Sequence, residues 1–142
     1  MDINFFTSTR IDYAMREMLE KYEGKECLFE GQFGNLVPGR TVNIYAEDCY
    51  FYEESTNIKH GMGHMVWHNI INYNEYANLE KNDDIIIKGI VNRYPNNNSN
   101  NCLIDDSLSP DDPLHRYSVG LINCTISSVI KHKIDFSQFF IK

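Results

Sequence analysis

Three histidines spaced four residues apart, His60, His64 and His68, are the residues whose type and spacing could most readily do chemistry. On a helix such a series lines one face, and imidazole is a common ligand for zinc and related metals. A helix over 60–68 would therefore predict a metal-dependent enzyme. The intervening residues argue against that helix. Gly61 and Gly63 each disfavour it by about 1 kcal/mol, and the run "HMVWHNII" is rich in strand-forming Val, Trp and Ile. On a strand, His64 and His68 share one face with Val66 between them, Trp67 turns to the opposite, core-facing side, and His60 belongs to the preceding loop. No HExxH glutamate and no evident third ligand accompany them. The stretch predicts a strand and no metal or other cofactor. A metal-dependent enzyme using His60, His64 and His68 stays as an alternative.

The other candidate residues point to binding rather than catalysis. No glycine-rich phosphate loop precedes a helix, and no GxSxG elbow is present. Asp105, Asp106, Asp111 and Asp112 form an acidic group that could hold a cation, but the spacing is not that of an EF-hand. Pro110 and Pro113 mark it as an exposed loop. Tyr45, Tyr50 and Tyr52, with Arg40, Lys59, Lys88 and Arg93, have the chemistry of a nucleic-acid face, in which aromatics stack on bases and cations follow phosphates. The opposing expectation is that these tyrosines pack against the N-terminal helix or the C-terminal tail.

Charge weighs on that choice. The chain carries 13 Lys and Arg against 20 Asp and Glu, a net charge of −7, which disfavours strong nonspecific binding to a polyanion. The four cysteines are widely separated and never form CxxC, so they predict reduced, buried thiols. The first residues lack a basic segment followed by an apolar run, and no stretch approaches 18 apolar residues. Both features predict a cytoplasmic protein without a membrane span. Asn, Ile, Lys, Tyr and Phe supply about two fifths of the 142 residues, a bias that suits an AT-rich genome such as those of many phages and plasmids.

The elements that must position these residues follow from periodicity. Ile11, Ala14, Met15, Met18, Leu19 and Tyr22 recur at helical spacing, which predicts an amphipathic helix over about 10–23, with Thr9 and Asp12 as a capping pair and Gly24 as its stop. From Lys25 the period becomes two. Strands are predicted in "KECLFEGQF", "TVNIYAEDCYFYEE" with a hairpin or bulge at Glu47-Asp48, "HMVWHNII", "IIIKGIVNRY" and "YSVGLINCTISSVI". A short helix is expected over 74–79, and the long loop from Pro95 to Pro113 is functional or disordered. The whole reads as one domain: a helical 1–24, a barrel over 25–130 and an aromatic tail, 131–142. In that tail Phe136, Phe139 and Phe140 dock on the barrel or make a homodimer contact.

Five strands with a helix between the third and fourth is the connectivity of the OB-fold, a mainly β, five-stranded Greek-key barrel. Gly31, Gly34 and Gly89 sit where barrel strands must bend. The stretch from Gly63 to Tyr94, with His64-Met65-Val66-Trp67 and then Ile90-Val91-Asn92-Arg93-Tyr94, resembles uncharacterised OB-like proteins of phages and plasmids. It departs from them by an extra residue before Trp67 and by Asn82-Asp83 in place of Gly-Asp. The resemblance implies a mobile-element origin and assigns no residue a role. With the acidic balance it leads to a non-catalytic interaction module that binds and inhibits a nucleic-acid-handling protein, such as a nuclease or defence complex, in the manner of an anti-CRISPR or antirestriction protein. A single-stranded nucleic-acid binder is the other binding alternative.

Overall fold

The computed structural model describes residues 3–53, 58–98 and 102–132, with side chains described from residue 13 onward. Helix α1 (Ile3–Tyr22) leads into β1 (Glu26–Val37), β2 (Asn43–Glu53) and β3 (Ile58–Trp67). A single 3-10 turn (Tyr76–Asn78) then precedes β4 (Asp84–Pro95), β5 (Leu103–Ile104) and β6 (Arg116–Ile130). β1 pairs antiparallel with β2 and β4, β2 with β3, and β4 with β6. A parallel contact, Trp67 opposite Leu121, joins β3 to β6 and closes a five-stranded barrel of OB-like topology. β5 is an extra strand on the free edge of β6.

Period-two burial builds the interior. Phe29, Ile44, Ala46, Trp67, Ile85, Ile87, Val91, Leu121 and Cys124 are fully buried, so Trp67 is core and no stacking platform. The barrel bends where side chains are absent. Pairing shifts register across Gly31, Gly34 and Gly89. A methyl group on Gly31 would lie 2.9 Å from the Trp67 ring, so the bend also makes room for the largest core residue. The Glu47-Asp48 pair proves to be a bulge within one continuous strand, with Asp48 at φ 48°. One extra residue there lets Ala46 and Cys49, three apart, both face inward.

Several boundaries differ from the sequence expectation. The helix begins at Ile3, so Thr9 lies inside it rather than at its start; its stop is as expected, with Gly24 at φ 83° donating its N–H to the Val91 carbonyl. β3 begins at Ile58, so His60 is in the strand and His68 lies beyond its end. Two glycines are tolerated because Gly63 takes φ 70° at a second bulge, which lets Met62 and Met65 both point inward. The short helix is a 3-10 turn without a buried residue, and Leu79 just after it supplies the apolar plug. β5 was hidden in the long loop, and its only signal was the apolar Leu103-Ile104 between polar runs. Residues 133–142, with Phe136, Phe139 and Phe140, lie outside the described residues.

Past the end of β3 the barrel seam is carried by backbone and asparagine groups. His68 N–H donates to the Leu121 carbonyl at 2.7 Å, and Cys124 N–H to the Asn69 carbonyl at 2.9 Å. The Asn72 amide both donates to the Ile126 carbonyl and accepts from its N–H, standing in for a strand residue. At the opposite end α1 covers the barrel mouth with Met15, Met18 and Leu19. Among the described residues no helix is long and apolar enough to cross a membrane.

Candidate interaction face

The outer surface of β4, β1, β2 and β3 gathers most of the expected binding residues. Register places Tyr52 opposite Lys59, Tyr50 opposite Glu30 and Gly61, and Leu28 opposite Lys88. Lys59 Nζ sits 4.2 Å from the centre of the Tyr50 ring and 5.8 Å from that of Tyr52. It also lies 3.6 Å from Glu30, whose other carboxylate oxygen accepts the Tyr52 hydroxyl. That acceptor pushes the Tyr52 phenol up. The centre of the face is thus two tyrosines and one lysine tied to one glutamate. Lys88 flanks it without a partner among the described residues, beside a cleft lined by Tyr22, Lys25, Leu28, Tyr52 and Glu53.

Tyr45 lies on the same outer side of β2, beyond the bulge, with its ring tilted against His64 at 5.6 Å between centres. Arg40 is exposed in the turn between β1 and β2. Arg93 is the residue that the structure removes from the face. Its guanidinium bridges Glu23, at 2.8 and 2.9 Å, and Asp105, at 2.8 Å, while resting 5.2 Å from the Tyr117 ring centre. The bidentate Glu23 contact raises the Arg93 pKa and holds the Glu23 carboxyl below its ordinary range. Arg93 therefore fastens the helix end, β4 and the 102–115 segment together. Arg93→Ala is expected to lower stability by about 1 kcal/mol in a thermal melt, since these carboxylates are partly exposed. The same variant should leave every binding assay unchanged.

The acidic group is likewise structural. Asp105 pairs with Arg93 and accepts from the Ser107 hydroxyl and N–H, and Asp112 accepts from the Leu114 N–H. Asp106 and Asp111 are exposed. Nor do the histidines converge. His60 pairs with Glu53 at 2.9 Å and stacks on Phe51 under the helix; His64 faces outward beside Tyr45; His68 lies edge-on to Tyr94. Four strand residues separate His60 from His64 by about 13 Å, and the Gly63 bulge turns them to opposite faces. Burial lowers the His68 pKa, so that ring is neutral at pH 7. Among the described residues no three His, Cys, Asp or Glu side chains are placed to hold a metal ion. Burial pushes the Cys49 and Cys124 thiols up to about 12, which makes them inert packing groups.

Sequence reasoning missed Asp83. It is fully buried and accepts from Glu80 N–H at 2.8 Å, Lys131 Nζ at 2.6 Å and His132 N–H at 2.7 Å. Lys131 reaches on to the Asn78 carbonyl at 2.6 Å, so one carboxylate ties the 3-10 turn to the end of β6. The sequence carried only an acidic turn before an apolar strand, with its basic partner 48 residues away. No family model, no curated protein and no solved structure matches this chain.

Proposed function

We propose that the chain is a non-catalytic OB-like interaction module whose outer β2–β3 face binds a basic protein surface. The observation that carries this reading is the internal neutralisation of the cations a nucleic-acid strand would need. Lys59 is held against Glu30, and Arg93 is held by Glu23 and Asp105. Of the four cations expected on the face, Lys88 and Arg40 carry no ion pair with a described residue, too few there to track a phosphate backbone under a net charge of −7. The exposed tyrosines and surrounding carboxylates suit a positively charged partner instead. A nuclease or other nucleic-acid-handling protein is such a partner. Its inhibition, in the manner of an anti-CRISPR or antirestriction protein of a mobile element, is the sharpest form of the proposal. A cytoplasmic setting fits the four free cysteines.

The test is fluorescence anisotropy with a labelled mixed-sequence single strand at about 50 and about 200 mM salt. No binding at either salt is expected. When the strand is first bound to a basic nuclease, excess of this chain should displace it. Submicromolar strand binding that weakens steeply with salt would overturn the reading in favour of a single-strand binder.

A further inference from the structure

At the β1–β2 bulges, Gly34 leaves a bare stretch of backbone onto which two side chains converge. A methyl group on Gly34 would lie 2.9 Å from Tyr45 Cδ1 and 3.5 Å from Glu47 Oε1. Ring and carboxylate therefore share one seat on the outer face. The Glu47 carboxylate makes no hydrogen bond or ion pair with any described residue. The ring is only half-buried and is propped from the β3 side by His64. Two other carboxylates nearby are occupied, Glu30 of β1 by Lys59 and Tyr52, and Glu53 of β2 by His60 and Tyr22.

We propose that Tyr45 and Glu47, seated together over Gly34, accept an arginine side chain of the partner, its guanidinium stacked on the ring and hydrogen-bonded to the carboxylate. This rests on the basic-partner reading and names the chemistry it uses. A guanidinium is planar, weakly hydrated and forked, so it satisfies a ring face and a carboxylate at once; an ammonium is a compact, strongly hydrated point charge that does so less well. Tyr45 and Glu47, two residues apart on β2, face the same side, and the bulge at Gly34 of β1 sets backbone without a side chain beneath them.

The test is a nitrogen-15 amide titration of the full chain with acetyl-Gly-Arg-Gly-amide and, separately, with acetyl-Gly-Lys-Gly-amide. Saturating shifts are expected at Gly34, Tyr45 and Glu47, with the arginine peptide binding at least about threefold tighter. Glu47→Gln should abolish the preference while the remaining amides keep their positions, and Tyr45→Phe should retain it. Equal responses to the two peptides, or a preference that survives Glu47→Gln, would overturn the acceptor. That result is separable from the partner reading. An absent arginine preference with intact strand displacement sinks only the acceptor, whereas a clear preference with no displacement sinks the partner class.

Discussion

Asp83→Ala is expected to cost about 2–4 kcal/mol, or roughly 10 °C in melting temperature, among the largest effects of any single polar change in this chain. The carboxylate is fully buried and receives three N–H donors, two from backbone. Removing it leaves the Glu80 and His132 amides without an acceptor and takes from Lys131 its buried counter-charge. Burial alone would raise this pKa, yet the donors from His132, Lys131 and Glu80 outweigh it and hold the carboxyl below its ordinary 3.8. A depressed folded-state pKa contributes stability that is present above the unfolded value and lost as pH falls through the folded one. The melting difference between wild type and variant should therefore be constant near neutrality and shrink below about pH 4. A difference that is small at pH 7, or unchanged at pH 2, would refute this account.

Gly120→Ala is expected to destabilise by about 3 kcal/mol, at the upper end for overpacking. A methyl group there would lie 2.5 Å from the Val66 carbonyl oxygen and 3.0 Å from the Tyr94 ring. The first neighbour is backbone of β3, fixed by its ladder with β2, so the strands must separate to admit the methyl. Gly61→Ala is the control. Its nearest neighbour would be the Tyr50 ring at 3.8 Å, an ordinary contact, and its effect should stay within about 0.5 kcal/mol. Urea unfolding of the two variants checks the pair, and equal midpoints would refute the steric argument.

Much of the architecture was legible because it is local. Helical spacing from Ile11 to Tyr22 and period-two alternation from Cys27 onward name the elements, and their order gives the barrel. The failures share a cause, which is that the deciding partner lies on another element. β3 starts at Ile58 because Tyr50, Tyr52 and Glu53 pull that segment into register, overriding two glycines. Arg93 looked like a binding cation until Glu23, 70 residues away, occupied it. Of the candidate face, Tyr50, Tyr52, Lys59 and Lys88 were legible as a set. The neutralising role of Glu30 was not, since no spacing rule couples residue 30 to residue 59.

The seam has a consequence for how the molecule behaves in a crowded solution. A barrel differs from an open sheet only in having no free edges, and here one parallel pairing and a few asparagine-assisted bonds make that difference. Unpinned at Trp67 and Leu121, the same strands would present the edges of β3 and β6 to other copies, ready to template intermolecular pairing. Keeping those edges paired therefore depends on a short stretch of backbone around Gly120, which packs against Val66, the β3 neighbour of Tyr45.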